Sequence, residues 1–479
     1  MNPLLKEAYS PEAFRKHAHA LVDQLADYLA AAQQNDAGRF FTMHHPDELY
    51  AYWKNKLNTG GEKDMPGFFT EILNGSLNLQ HPRYMGHQVT APLPITAITG
   101  MLTQLVNNGL AVYEVGNTAC VLERLVIDTL AQALGYTPEA GGLLTSGGTL
   151  ANLTALLTAR AMIPGTDVWE NGQQEKMALM VSEEAHYCVD RAVRVMGWGE
   201  EGIIKIPVNE TFSMRTDLLP EYYAEAKRKG IRVIAVVGSA CSTSTGAYDD
   251  LEAIAAFCKE HNLWFHADGA HGSAVAFSQK HKHLVKGIEQ ADSVVTDFHK
   301  LLLVPGLATA VVYKNGLHAF NTFKQEAQYL WNKTTGTDHY NLGKKTFECT
   351  KLMMSVKIAS ILYAHGTKVW EEFVDNVHEN GQLFAQAVAA RSSLELALNP
   401  QSNIVCFRYI KGITNTEDAN RINRAIRSKL LENGNFFIVQ TTLKGKVYLR
   451  VTLMNPFTSV EDMNGLLDEV EKIGKELTV

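Results

Sequence analysis

The stretch that most restricts how this chain can fold is residues 231–272, IRVIAVVGSACSTSTGAYDDLEAIAAFCKEHNLWFHADGAHG. It reads as an apolar strand, a small-residue loop, an amphipathic helix and a second apolar strand. Two strands joined through a helix run parallel, and a parallel sheet is stable when helices cover both of its faces. Its neighbours repeat the pattern. KMALMVSEEAHYCVDRAVRVMG (176–197) is a strand entering a helix, GGLLTSGGTLANLTALLTARAMI (141–163) a strand or loop entering a helix, and ADSVVTD (291–297) and ATAVVYKNG (308–316) are further strands. LPITAITGMLTQLVNNG (93–109) and ACVLERLVIDTLAQALGY (119–136) read as buried helices. The expectation is an α/β fold with a mostly parallel central sheet.

Two other regions flank it. Residues 11–33 place Ala18, Leu21, Val22, Leu25, Tyr28 and Leu29 at helical spacing, an apolar stripe that needs a surface to cover it, such as a neighbouring subunit. At the other end SNIVCFRYI, FFIVQTTLKGKVYLRVTLM and SVEDMNGLLDEVEKIGKEL suggest a small α+β domain. The expected division is residues 1–89 as a helical segment at a dimer interface, 90–365 as the large domain and 366–479 as the small one. Residues 326–346, EAQYLWNKTTGTDHYNLGKKT, lack periodicity, and a long irregular stretch in a compact domain is often functional.

With 46% hydrophobic and 20% charged residues and a net charge of −7, the chain has a soluble protein's composition and no basic stripe for nucleic acid. The six cysteines contain no CxxC pair, which argues against a zinc cage or a disulfide framework. The start lacks a signal-peptide pattern, and no apolar run approaches the ~18–20 residues that span a bilayer, so the expected compartment is the cytoplasm.

The chemistry concentrates in three places. In TDFHKLLLVPG (296–306), Lys300 follows His299 and precedes an apolar run. Burying an ammonium is expensive, and burial pushes a lysine toward its neutral, nucleophilic form. In LWFHADGAHGS (263–273), Asp268 ends a strand, where ligands bind in open α/β sheets, with His266, Asp268 and Ala270 on one side. A metal site made of His266, Asp268 and His271 is an alternative; it would leave Lys300 unexplained. In TSGGTLANL, Ser146, Gly147, Gly148 and Thr149 precede a helix and can present amides and hydroxyls to an anion, though a turn with a helix cap reads equally well. Together a phosphate cradle, a strand-end aspartate and a pocketed lysine suit pyridoxal phosphate: the lysine forms the Schiff base, the aspartate pairs with the pyridinium nitrogen and the helix end holds the phosphate.

With HPRYMGH, SGGTLAN, SEEAHYCVDRA, STSTGAYDDLEAI, the pair His299-Lys300 and LRVTLMNP in this order, the chain resembles the pyridoxal-phosphate-dependent group II amino-acid decarboxylases over roughly residues 75–460. The resemblance implies the fold type I (aspartate-aminotransferase-like) architecture with an N-terminal helical arm, and a homodimer with active sites at the interface. It implies that His186 stacks on the pyridine ring opposite Ala270, that Thr243 supports Asp268, and that Ser146, Gly147, Gly148 and Thr149 hold the phosphate with His299 close by. Arg450 would receive the substrate's α-carboxylate, and Tyr340, on a loop reaching the partner's site, would protonate Cα. Phe298 and Leu301 stand where the family usually has a proline and an aromatic residue, which leaves the subfamily open.

The side-chain pocket would draw on His87, Gln88, Tyr113 and Glu114. Gln88 favours an acidic substrate such as glutamate, aspartate or cysteine sulfinate, whereas Glu114 would attract the distal ammonium of 2,4-diaminobutyrate. An aromatic substrate ranks behind both. Another pyridoxal-phosphate lyase or an aminotransferase would share Lys300 and Asp268, but HPRYMGH and the Tyr340 loop argue against them.

Overall fold

The structure is a computed structural model that describes residues 2–34, 39–59, 64–323 and 338–478. The chain divides into two units, Gln88–Gln382 with Leu398–Val405, and Met1–His87 with Leu383–Ala397 and Cys406–Val479.

The larger unit is built on seven strands: β1 Gly141–Thr145, β2 Met177–Ser182, β3 Ile203–Ile206, β4 Arg232–Ser239, β5 Trp264–Asp268, β6 Ser293–Asp297 and β7 Thr309–Tyr313. Their order across the sheet is β1-β7-β6-β5-β4-β2-β3. β3, β2, β4, β5 and β6 pair in parallel, and β7 runs antiparallel between β6 and β1. Every strand but β7 therefore points the same way, and the carboxyl ends gather on one edge. The central strands are buried along nearly their whole length, as strands of a parallel sheet covered on both faces are.

The crossover between β4 and β5 is the helix Leu251–His261. Asp250 starts it by accepting the Ala253 amide at 3.0 Å, and Asn262, at φ 56°, ends it in the left-handed conformation that asparagine tolerates. The helix Gly148–Ala161 follows β1 and packs Ala151, Ala155 and Leu156 into the core with Val181, Val189 and Val311.

One helix departs from expectation. The segment Pro94–Val106 is a helix, but it is not buried as its apolar content suggests. It turns Thr96, Thr99 and Thr103 inward, each hydroxyl donating to a carbonyl of its own segment, and leaves Ile98, Leu102 and Leu105 exposed. Three threonines can be buried on one face because that local back-bonding satisfies their hydroxyls.

The smaller unit carries an antiparallel sheet near the C-terminus: β8 Leu394–Leu396, β9 Ile404–Tyr409, β10 Val439–Leu443 and β11 Lys446–Thr452, in the order β10-β11-β9-β8. The helices Thr416–Asn433 and Val460–Thr478 belong to the same unit. So does the N-terminal arm, whose helix Pro11–Gln34 packs on Met65–Gly75 and itself buries Ala32. The HPRYMGH segment is tied to the small sheet: the Met85 amide donates to the Phe437 carbonyl at 3.0 Å, and the Thr452 amide donates to the Met85 carbonyl at 2.9 Å. Among the described residues no helix is long and apolar enough to cross a membrane.

Candidate active site

Successive strand ends of the larger unit deliver side chains into one cavity of about 440 Å³. β1 leads to Ser146, Gly147, Gly148 and Thr149, β2 to His186, and β4 to Cys241 and Thr243; β5 brings Asp268 and Ala270, and β6 Asp297, His299 and Lys300. The fold thus brings together every residue expected at the cofactor. A cavity at the carboxyl edge of a parallel sheet is where this architecture binds ligands.

Lys300 is mostly enclosed, and its Nζ lies 3.1 Å from Oδ2 of Asp297. This corrects the expectation that burial leaves the amine neutral. Burial does disfavour the charge, but the ion pair and hydrogen bond to Asp297, with Asp268 at longer range, outweigh it and hold the ammonium above its ordinary value. Asp297 also takes the Thr309 hydroxyl on Oδ1 and faces Nε2 of His299 at 3.6 Å. Nδ1 of His299 lies 3.0 Å from the Ala308 carbonyl oxygen and 3.2 Å from the Ala308 amide, which hold the ring with Nε2 toward the carboxylate.

The cradle is set by backbone and a buried relay. Gly147, at φ 130°, occupies a conformation that side-chain-bearing residues rarely adopt. A Cβ on Gly148 would come 3.2 Å from Oδ1 of Asp297. No side chain caps the helix Gly148–Ala161, so its first amides remain available to an anion. Behind it Asn152 Nδ2 donates to the Gly148 carbonyl at 3.0 Å, which turns its Oδ1 toward His266 Nε2 at 2.8 Å, so Nε2 carries the proton. In the neutral ring Nδ1 then accepts from the Ser293 hydroxyl at 2.8 Å, which itself accepts from Trp264 Nε1 at 2.9 Å. Burial lowers this imidazole to about 4, so it stays neutral. Both nitrogens of His266 are engaged and His271 Nε2 pairs with Asn403, which leaves neither arranged as a ligand beside Asp268. Among the described residues there is no metal-holding group of His, Cys, Asp and Glu.

His186 starts the helix Tyr187–Val195, its Nδ1 accepting the Cys188 amide at 3.3 Å. Burial lowers its basicity, partly offset by Asp268. Asp268 Oδ1 accepts the Ala270 amide at 3.2 Å. At the cavity rim Ser146 donates to Glu348 at 2.8 Å.

The remaining expected residues do not line this cavity. Tyr113 and Glu114 are exposed at the start of the helix Tyr113–Ala133, and the Tyr113 ring lies 5.7 Å from that of Tyr340. Tyr340 packs on the cluster of Leu110, Ala119, Cys120 and Leu342. Gln88 is buried in the larger unit. His87 and Arg450 belong to the smaller unit, where His87 lies against Phe437. Of the 326–346 stretch, residues 326–337 lie outside the described residues. Asp297, Asn152, Cys188, Cys241 and Leu307 line the cavity without having been singled out by sequence. For Asp297 the signal was present, since it ends a strand just as Asp268 does.

An uncapped helix end, an amine and a carboxylate in one cavity fit pyridoxal phosphate. Comparison with known proteins bears this out. Residues 69–410 match the pyridoxal-dependent decarboxylase conserved domain. An aromatic-L-amino-acid decarboxylase of Bacillus atrophaeus is 27% identical over 443 residues, covering 89% of each chain. An L-aspartate decarboxylase of Metarhizium robertsii is 28% identical over 428 residues, 88% of this chain and 85% of that one. Mouse CSAD superimposes with a TM-score of 0.91 over 97% of this chain and 99% of its own, at 22% identity, a likeness of fold. The chain belongs to the pyridoxal-dependent decarboxylase family and has its fold type I architecture. It is a pyridoxal-phosphate-dependent amino-acid decarboxylase, a carboxy-lyase.

Proposed function

We propose that the chain converts an acidic L-amino acid, glutamate, aspartate or cysteine sulfinate, to the corresponding amine and CO2, with Lys300 as the residue that carries the cofactor. The observation that carries the acidic reading is the character of the residues expected at the side chain. Nε2 of Gln88 is a buried donor with no hydrogen-bond partner among the described residues, suited to an acceptor oxygen. In the smaller unit, burial and then the charges of Arg450 and Arg427 keep the His87 imidazole below its ordinary value, so the positive charge around it is that of the two arginines. The relative from Metarhizium robertsii is named for aspartate.

When bound, pyridoxal phosphate supplies an electron sink for the pair left behind as the α-carboxylate departs. The chain's residues do the rest. The cradle of Ser146, Gly147, Gly148 and Thr149, with His299, would hold the phosphate. Asp268, supported by Thr243, would pair with the pyridine nitrogen, and His186 and Ala270 would hold the ring. Arg450 would receive the substrate's α-carboxylate, and Tyr340, from the neighbouring copy, would return a proton to Cα.

A homodimer suits the exposed face of the helix Pro94–Val106, because Ile98, Leu102 and Leu105 form an apolar stripe that a second copy would bury. Exposed Glu114 favours a second reading, 2,4-diaminobutyrate, and the Bacillus atrophaeus relative a third, an aromatic substrate.

The test is a mass-spectrometric product scan of cofactor-loaded protein with glutamate, aspartate, cysteine sulfinate, 2,4-diaminobutyrate, tyrosine and tryptophan. The expected product is an amine lighter than its substrate by one CO2, from an acidic substrate. Turnover of 2,4-diaminobutyrate alone would move the assignment to Glu114, and keto acids would point to transamination.

A further inference from the structure

Two carboxylates reach the cavity, and one of them has no part in the reaction as proposed above. Asp297 is 3% exposed and fixed on every side. Its Oδ1 takes the Thr309 hydroxyl, and its Oδ2 faces Lys300 Nζ at 3.1 Å and His299 Nε2 at 3.6 Å. Gly148 closes over it, so closely that a Cβ there would sit 3.2 Å from Oδ1. A carboxylate held this way cannot swing off its partner. The other groups around the lysine nitrogen are Asp268 from β5, Cys241 from the loop after β4, and His186 and Cys188 from the helix after β2. Burial keeps both thiols protonated, and Asp268 makes no ion pair with Lys300 at contact distance.

We propose that Asp297 is a positioning residue whose carboxylate clamps the Lys300 ammonium to one wall of the cavity, so that the amine is released to a carbonyl compound only when this ion pair opens. The inference rests on Lys300 being the cofactor-carrying residue. Condensation of an amine with an aldehyde joins nitrogen to the carbonyl carbon and expels the carbonyl oxygen as water with the two amine hydrogens. The third proton of the ammonium must leave first, and it is the one Asp297 retains. Capture of a carbonyl is thereby gated by a fixed charge, and when the lysine nitrogen is neutral the carboxylate keeps the Thr309 hydroxyl and His299 as partners beside the cradle.

The experiment is competitive acylation of the full chain, freed of cofactor with hydroxylamine, by acetic anhydride across pH 6 to 11. The Lys300 peptide is compared with surface-lysine peptides of the same digest. The midpoint of each curve reports the amine's proton affinity and, unlike the rate, does not depend on access. The wild-type Lys300 midpoint is expected above those of the surface lysines in spite of burial. In Asp297→Asn it is expected below them, raising Lys300 acylation at pH 8 by about tenfold for each pH unit of the shift, and Asp297→Glu should largely restore the wild-type curve. Thr309→Val, which frees Oδ1, provides a second variant and should give an intermediate midpoint. A wild-type midpoint below the surface set, or unchanged midpoints in the variants, would overturn the proposal. Neither result depends on turnover, so failure here is distinct from failure of the decarboxylase roles assigned to Lys300 and Asp268.

Discussion

Asp268 and Asp297 are the same residue in nearly the same position: each ends one of two adjacent parallel strands, each is buried, and each faces one cavity. They differ in what already holds them. Among the described residues the Asp268 carboxylate accepts one amide, from Ala270, whereas Asp297 is committed to Thr309, Lys300 and His299. A carboxylate with an open oxygen can serve a ligand; one whose oxygens are taken serves the protein, here by fixing the charge and place of a lysine. The role follows from the partners, and the strand end supplies no more than the position.

The comparison breaks most completely if the lysine is removed. Lys300→Ala is expected to cost about a thousandfold or more in kcat, on the order of 4 kcal/mol of barrier, and to abolish borohydride fixation of the cofactor; steady-state assays and intact-mass analysis check both. Asp268→Asn comes next, with roughly a hundredfold lower kcat while equilibrium dialysis still detects bound cofactor, because it removes the proposed partner of the pyridine nitrogen but not the cradle. Asp297→Asn should cost less, about tenfold, and its rate of cofactor loading, followed by visible absorption at pH 7, should exceed the wild-type rate.

The fourth prediction concerns the frame around both aspartates. Asn152→Ala leaves the Nε2 proton of His266 unpaired in the core, a loss of about 1–3 kcal/mol. Calorimetry should record a lower Tm, and cofactor affinity should fall, since the Gly148 carbonyl loses its tether. A normal affinity with a lowered Tm would make the relay purely structural.

The smallest effect sharpens the contrast through a second buried lysine. Lys345 donates to the carbonyls of Gly142 and His339 and has no ion-paired carboxylate among the described residues; burial, opposed by the more distant Glu123, lowers it to about 8. Between about 8 and the ordinary lysine value near ~10.4 the unfolded chain binds more protons than the folded one, so stability from this group rises with pH across that window and is lost as pH falls through 8. Lys345→Met should flatten that part of the stability–pH curve in urea titrations. Lys300, with its carboxylate, should show the opposite sign.

Much of this was legible in the sequence, and the misses have physical causes. The βαβ run at residues 231–272 forces a parallel sheet, and an aspartate closing an apolar strand, a small-residue turn before a helix and a lysine in an apolar run each have few structural uses. Asp297 was passed over because it reads as the polar end of ADSVVTD, and the i,i+3 geometry that aims it at Lys300 exists only once the turn after β6 is folded. Lys300 was expected neutral for the same reason: burial can be read from a string of leucines, but a partner cannot. In the helix Pro94–Val106 periodicity finds the apolar face without saying what covers it, so an outward-facing stripe looked like core. The relay from Trp264 to Gly148 joins residues far apart in the chain, and spacing carries no trace of it.

The measurement that bears most directly on the account is borohydride reduction of the cofactor-loaded protein followed by peptide mass mapping. The account predicts the added pyridoxyl-phosphate mass on the peptide containing Lys300, held in the cavity with Asp268 although its amine is the more basic of the two buried lysines compared here. The same mass on the peptide containing Lys345, or on no single lysine, would contradict it.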